Sequence, residues 1–207
     1  MPMHMILREL CASEQFFYLY ADERAALEEL AARITPYYEA ALECILECDA
    51  EAVLWGGNYD QDLTWPSFFQ EQITPWLQHV SERLRSASKV LFTHCDGENE
   101  ALTELLLDSG IDVAESICPA PMTKMSLAEL RERWGTTVRI CGGIPSVALL
   151  PDVFDNVAYR QFMDATFAEL GSGAGLILGV ADMVPADADL RRLEDTGRRV
   201  EAFGAVG

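Results

Sequence analysis

Positive charge is scarce in this sequence of 207 residues. Lysine and arginine together number 15 against 34 aspartate and glutamate residues, which gives a formal net charge of −19 at pH 7. A chain this acidic repels phosphate backbones and anionic lipid surfaces, so we expect neither a nucleic-acid nor a membrane partner. The sequence also lacks any apolar run of about 18 residues, the length that would predict a membrane-spanning helix.

Export signals and common cofactor motifs are missing as well. The sequence does not begin with a basic segment, an apolar stretch and a small-residue cleavage site, which favours a cytoplasmic protein. The six cysteines form no CxxC pair and no zinc-finger spacing, and in a cytoplasm we expect them to be reduced thiols. The absence of GxGxxG after a predicted strand, and of a P-loop, argues against nucleotide-phosphate sites.

Short apolar runs alternate with amphipathic stretches along the chain, half of whose residues are hydrophobic. Strands are predicted at 52–55, 90–93, 113–117, 137–141 and 176–180. Helices are predicted at 23–48, 67–87, 98–109, 126–134, 156–170 and 187–202. This alternation predicts one α/β domain with parallel strands, built either as a barrel or as a doubly wound sheet.

Two local signals refine the predicted helices. Ser126 is followed three residues later by Glu129, which is the pattern of a capping box at the start of a helix. Pro36 cannot donate a backbone hydrogen bond, so we expect it to kink or divide the helix at 23–48.

In both architectures, the active site lies at the carboxyl ends of the parallel strands. Polar side chains and glycines lie in the last part of the predicted strands or just after them: Asn58, Asp60, His94, Asp96, Glu115, Gly142, Gly143 and Asp182. Among these, His94 is the candidate catalytic imidazole, and Asp60 and Glu115 are candidate acid, base or orienting groups.

Asn58, Gly142 and Gly143 are the candidates for substrate binding. Glycines at a strand end let a substrate approach the backbone closely, but they also permit a tight turn between strand and helix. Both interpretations of the glycine pair stay open on sequence grounds.

His94 and Asp96 lie two residues apart, so an extended strand would project them to the same side. With Asp182 from a later strand they would supply one nitrogen and two carboxylate ligands, a set that zinc or another divalent ion accepts. Two alternatives remain: Asp96 could hydrogen-bond His94 and orient its ring, or Asp96 could simply serve the Asp-Gly turn.

The strand-end segments AVLWGGNYD, KVLFTHCDGEN, LLLDSGIDVAESICPAP, VRICGGIPS and GLILGVADMVP, in this order and spacing, resemble the uroporphyrinogen decarboxylase superfamily. The likeness is closer to its corrinoid-dependent methyltransferases. It implies a (β/α)8 TIM barrel of which this chain holds the last five strand-helix units, with the first three absent. Residues 1–207 would then form a partial barrel domain, with 1–50 as a helical lead-in.

Methyltransferases of this superfamily carry a His-x-Cys pair and a later cysteine, which together bind zinc. By this resemblance His94 stands at the histidine, while Asp96 and Asp182 stand where the two cysteines would be. The resemblance implies methyl transfer between a corrinoid on a partner protein and a small-molecule acceptor, assisted by zinc or another divalent metal. The carboxylates leave thiol activation by zinc in doubt.

Two other functions are compatible with the resemblance. The chain could be a uroporphyrinogen decarboxylase of porphyrin biosynthesis, which needs no cofactor, although the late histidine-containing segment of that branch is replaced here by LGVADMVP. Alternatively, it could be a non-catalytic half-barrel that needs a partner chain, either the missing N-terminal part or a second copy.

Overall fold

The computed structural model describes residues 1–204, which form one sheet of five parallel strands, in the order β1-β2-β3-β4-β5, with helices packed against it. The strands are β1 (Ala52–Gly57), β2 (Val90–His94), β3 (Val113–Ile117), β4 (Arg139–Ile144) and β5 (Leu176–Val180). The α-helices are α1 (Pro2–Met5), α2 (Ser13–Asp22), α3 (Arg24–Glu47), α4 (Pro66–Phe68), α5 (Thr74–Ser86), α6 (Thr103–Asp108), α7 (Leu127–Trp134), α8 (Asn156–Glu169) and α9 (Leu190–Phe203). The predicted α/β class with five parallel strands is confirmed.

Strand β4 differs most from its prediction. It was expected at 137–141 but runs to Ile144, so Gly142 and Gly143 continue the strand instead of forming the turn after it. Both glycines lie in the β5 ladder, opposite Leu178 and Gly179. Their φ angles of +132° and +92° are conformations that residues with side chains rarely adopt, which explains why glycine occupies both positions.

The structure tests both helix predictions, the one at Pro36 and the one at Ser126 and Glu129. Helix α3 continues through Pro36, so of the two effects expected of this proline, a kink or a division of the helix, the division does not occur. The capping box at α7 is confirmed, because the Ser126 hydroxyl accepts the Glu129 N–H and the Glu129 carboxylate accepts the Ser126 N–H. This exchange satisfies two donors at the start of the helix.

Helices cover one face of the sheet and leave the other largely uncovered. In β1, Val53 and Trp55 are buried, whereas Leu54 between them is 61 % exposed. At the far side of the sheet, Ile177 of β5 is 52 % exposed. Because side chains alternate between the two faces of a strand, Leu54 and Ile177 mark the face that the described helices do not cover.

The uncovered face carries a row of side chains that crosses four strands. The register places His94 beside Glu115, Glu115 beside Cys141, and Cys141 beside Ile177. Two of the predicted site residues, His94 and Glu115, are thus neighbours at the carboxyl end of the sheet.

The sheet is open within residues 1–204, because β1 and β5 are its two edges and do not pair with each other. Each edge presents backbone N–H and C=O groups without a partner strand. None of the helices in this part of the chain combines the length and the apolar character needed to cross a bilayer.

Helix α1 contributes a buried histidine to the core. His4 is 7 % exposed, and its ring centroid lies 5.4 Å from that of Tyr59. Burial, with smaller contributions from the N-terminal amine and Arg8, lowers the pKa of His4 to about 3. The folded protein therefore keeps this imidazole neutral.

We predict that His4 makes the protein sensitive to acid. Between pH 6.5, the ordinary pKa, and about 3, the unfolded chain binds more protons at this site than the folded chain, so the free energy of unfolding decreases as the pH falls. In urea unfolding below pH 6.5, His4→Gln should reduce this slope by up to about 1.4 kcal/mol per pH unit. Equal slopes for His4→Gln and the wild type would contradict the prediction.

Candidate metal centre

Three predicted ligands meet at the carboxyl end of the sheet. His94 ends β2, and its Nε2 lies 3.5 Å from Asp96 Oδ2 and 3.8 Å from Asp182 Oδ1. One ligand atom from each of the three residues lies within 4.8 Å of the other two. We call this group the His94 cluster. A strand end and two loops that are far apart in the sequence therefore converge on one point.

Glu115 fixes the orientation of the imidazole. Its Oε2 lies 2.5 Å from His94 Nδ1, across the β2–β3 pair. In the tautomer that donates its Nδ1–H to this carboxylate, Nε2 is the ring nitrogen that faces Asp96 and Asp182, an arrangement typical of metal-binding histidines. The sequence suggested Asp96 as the hydrogen-bond partner of His94; in the structure Glu115 makes that hydrogen bond, while Asp96 lies at ion-pair distance.

Asn58 holds the second member of the cluster. Its side-chain Nδ2 donates to Asp96 Oδ2 at 3.3 Å, just beyond the end of β1. The backbone at Asn58 is left-handed, with φ of +56°, a conformation that asparagine tolerates better than most residues with side chains. The structure therefore places Asn58 at the site, where it orients the Asp96 carboxylate.

Ser116 is the site residue that sequence reasoning missed. Its hydroxyl accepts the backbone N–H of Asp182 at 2.5 Å, and both residues have left-handed backbones, with φ of +64° and +58°. In the sequence Ser116 lies inside a predicted strand, next to Glu115, where alternation would point it away from the site. A spacing pattern contains no signal for this contact.

Asp60 lies in the loop after β1 and has a different role from the one predicted. Its two carboxylate oxygens accept the backbone N–H groups of Asp62 and Glu98, at 2.9 and 3.0 Å. Both oxygens therefore stabilise loop structure, as aspartates in turns commonly do. Within residues 1–204, neither of these hydrogen bonds goes to His94, Asp96 or Asp182, so the structure does not group Asp60, predicted as an acid, base or orienting group, with the cluster.

The two β4 glycines serve the packing of the sheet. A β carbon on Gly142 would lie 2.7 Å from the carbonyl oxygen and 2.8 Å from the nitrogen of Ile117, and one on Gly143 would lie 3.1 Å from Leu127. Strand β3 and helix α7 thus approach these glycines directly. The turn proposed for them is not formed, and the contacts that require glycine come from the protein itself.

Negative charge dominates the site. Within residues 1–204, His94 is the sole basic side chain that lies within ion-pair distance of Asp96, Glu115 or Asp182. Burial raises the pKa of the nearby Cys118 thiol to about 11, with smaller contributions from Asp182 and Asp96. Three carboxylates around one imidazole therefore favour a cation and disfavour a thiolate.

The other thiols near the site are also held protonated. Burial raises the pKa of Cys95, which is fully buried, and that of Cys141, beside Glu115. Cys95 follows His94 directly but lies in the covered core. A nucleophilic pair of Cys95 with His94 is therefore not formed.

A cavity of about 340 Å³ adjoins the cluster on the β1 side. Asn58 and Gly57 line it at the end of β1, and His4 and Arg8 line it from the N-terminal helical segment. Gly57 packs on His94, because a β carbon at position 57 would lie 2.7 Å from His94 Cβ. The cavity therefore lies along the edge strand β1 and is linked to the His94 cluster through Gly57 and Asn58, although no member of the cluster lines it. Its volume would hold a small organic molecule.

Comparison with known proteins shows the fold. No protein-family model matches the chain, and no curated protein matches it. Among solved structures, a methyltransferase from Methanosarcina mazei is similar, with a TM-score of 0.65 and 18 % identity. The alignment covers 93 % of this chain and 55 % of that one, so this chain spans about half the length of the methyltransferase. At this identity the likeness concerns the fold alone.

We predict that Gly142→Ala destabilises the protein strongly. The added β carbon would meet the Ile117 backbone at 2.7 Å and would require a φ of +132°, so the free energy of unfolding should fall by about 3 kcal/mol. Gly171→Ala is the matched control, because its φ is +58° but nothing lies within 4 Å of the new atom. It should cost about 1 kcal/mol in the same denaturant titration. Equal losses for the two variants would contradict the packing role of Gly142.

Proposed function

We propose that this chain is part of a metal-dependent methyltransferase of the uroporphyrinogen decarboxylase superfamily. It would transfer a methyl group between a corrinoid on a separate protein and a small acceptor. The observation that carries the proposal is the His94 cluster: one imidazole and two carboxylates that converge at the carboxyl end of a parallel sheet.

The donor set fits a divalent cation. Zinc takes ligands at about 2 Å, and the ligand atoms of the cluster, all within 4.8 Å of one another, need small side-chain rotations to reach a shared ion. Carboxylate oxygens also suit manganese and magnesium better than the thiolates of the resembling methyltransferases would. The site charge supports the same conclusion, because three carboxylates converge there and His94 is the sole basic side chain within ion-pair distance of them in residues 1–204.

A bound divalent cation would supply Lewis acidity toward an acceptor thiol or a methoxy or amine donor. The chain's own residues would position the metal ligands and bind the substrate. Glu115 keeps the Nδ1 proton of His94 in place, and Asn58 keeps Asp96 turned toward the cluster. The neighbouring cavity, lined by Arg8 and Asn58, would hold the small substrate.

The fold supports the proposal at a coarser level. A methyltransferase of known structure has the same arrangement over 93 % of this chain, and this chain corresponds to about half of it. We therefore infer that the five strands are the last five of a (β/α)8 barrel. The corrinoid-binding surface and part of the acceptor site would lie on the remaining units.

The described site gives less support to uroporphyrinogen decarboxylation. A porphyrinogen carries several carboxylate side chains and would need cations facing them. The sheet face described here offers Asp96, Glu115 and Asp182 instead, which would repel them.

A half-barrel that needs a partner chain is the second candidate, and one observation favours it. The sheet has two unpaired edges, and the apolar side chains of Leu54 and Ile177 on its uncovered face are more than half exposed. Exposed strands of this kind recruit other strands. In this alternative the chain alone is inactive, and a second polypeptide or a second copy closes the sheet.

We predict that the wild type binds one divalent ion per chain. In equilibrium dialysis against Mn²⁺ or Zn²⁺, Asp96→Ala and Asp182→Ala should each weaken binding by about a hundredfold, because each removes a ligand. Asp62→Ala removes an exposed loop carboxylate outside the cluster and should bind like the wild type. A wild type that binds neither ion would refute the metal centre.

Methyl transfer itself is tested with methylcobalamin and 2-mercaptoethanol under anaerobic conditions. Metal-dependent loss of the methylcobalamin absorbance that disappears in Asp96→Ala supports the proposal. The assay is repeated with the missing strand-helix units of the barrel supplied. If the protein then binds its metal fully but does not demethylate methylcobalamin, the result counts against methyl transfer. Chelator-insensitive turnover of uroporphyrinogen would identify a decarboxylase.

We predict that the open sheet makes the wild type self-associate as its concentration rises. Leu54→Lys places a charge on the exposed edge strand and should shift sedimentation-velocity profiles toward the monomer. Leu10→Lys makes the same charge change at a leucine that is 52 % exposed outside the sheet, and it should behave like the wild type. A monodisperse wild-type monomer at all concentrations would argue against the half-barrel.

A further inference from the structure

The geometry points to Ser116 as the positioning residue that holds Asp182 at the His94 cluster. This inference rests on the proposed metal centre for its function, but the contact itself is independent of any metal. Asp182 needs such a holder more than the other two ligands, because its side chain is 52 % exposed, against 21 % for His94 and 25 % for Asp96.

The chain around Asp182 has few attachments. Ala181 donates its N–H to the Ile144 carbonyl at 2.8 Å, and Asp182 donates its N–H to Ser116 Oγ. Within residues 1–204, the next backbone hydrogen bond from this loop to another element is made by Asp189, to the Leu149 carbonyl. The segment between, 183–188, includes Met183 at 65 % exposure. The Ser116 hydroxyl is therefore the last anchor before a poorly attached loop.

A bulge in β3 makes this contact possible. The register runs from Glu115 opposite Cys141 to Ile117 opposite Gly142, so Ser116 is an inserted residue. In a regular strand, consecutive side chains point to opposite faces. The left-handed Ser116 breaks this alternation, and two consecutive residues serve one site: Glu115 contacts His94, and Ser116 contacts Asp182. Bulges beside active sites commonly redirect a side chain in this way.

The contact also spans a strand. Strand β4 lies between β3 and β5, so Ser116 reaches a residue of the loop after β5 that is not its sheet neighbour. At the crossing point β4 carries Gly142, whose missing side chain lets the bulged backbone of β3 approach. The bulge, the glycine and the serine hydroxyl thus act together on the position of Asp182.

The backbone strain at Ser116 indicates that its hydroxyl has a function. A serine with φ of +64° is strained relative to an extended strand residue, and glycine would relieve that strain. Ser116 is also buried, with 1 % exposure, so solvent contact does not explain its polarity. Its one described side-chain hydrogen bond is the bond to Asp182.

Crossed substitutions separate the hydroxyl from the backbone strain. Ser116→Gly removes the hydroxyl and relieves the strain, whereas Ser116→Thr keeps the hydroxyl and increases the strain. If Ser116 positions Asp182, affinity for Mn²⁺ should follow the hydroxyl: about tenfold weaker in Ser116→Gly and within a few-fold of the wild type in Ser116→Thr. The denaturant midpoint of unfolding should instead follow the backbone strain, and should be higher in Ser116→Gly than in Ser116→Thr. Ser88→Gly, at an exposed serine with φ of +58°, should leave Mn²⁺ affinity unchanged.

Hydrogen exchange decides the inference even if the wild type binds no metal. Exchange of the Asp182 amide should be at least about tenfold faster in Ser116→Gly than in the wild type or in Ser88→Gly, because the hydrogen bond that protects it is gone. Unchanged exchange in Ser116→Gly overturns the inference. Faster exchange in a protein that binds no Mn²⁺ or Zn²⁺ would keep the positioning contact and reject the metal centre.

Discussion

The parallel register between β2 and β3 sets His94 beside Glu115, and the candidate site is built on that contact. A histidine side chain that turned freely could present either ring nitrogen to its surroundings. The Glu115 carboxylate removes this freedom by holding Nδ1. The position of Nε2 is then fixed by the sheet, and Asp96 and Asp182 need only be brought to it from their loops.

Left-handed backbone is the means by which the loops reach that point. Asn58, Ser116 and Asp182 have φ values between +56° and +64°, and in the described chain Ser88 is the one other residue with a side chain in this conformation. The three lie at the ends of β1, β3 and β5. Residues with a β carbon pay about 1 kcal/mol for this conformation, less for asparagine and aspartate. Their concentration at the strand ends means that the sheet imposes local strain where the polar groups must converge.

The sequence was sufficient for features that depend on local pattern. Apolar runs located all five strands, and Ser126 with Glu129 identified a capping box, because both are readable from spacing. The grouping of His94, Asp96 and Asp182 followed from the rule that parallel strand ends converge. Ser116 and Asp60 could not be assigned in this way: the first depends on a bulge that reverses side-chain alternation, and the second on hydrogen bonds to amides of a distant loop. Gly142 was ambiguous for the same reason, since only the approach of β3 shows why it lacks a side chain.

The shortage of positive charge around the cluster has a consequence for the order of binding. Without a bound cation, the carboxylates of Asp96, Glu115 and Asp182 would repel an anionic acceptor, and within residues 1–204 His94 is the sole basic side chain at ion-pair distance from them. A divalent ion would reverse this balance, so a negatively charged acceptor would enter after the ion and would in turn tighten it. The two affinities would be linked by a single coupling free energy, equal in both directions. In the proposed metal centre, a site of this charge would therefore admit an anionic acceptor after the cation has bound.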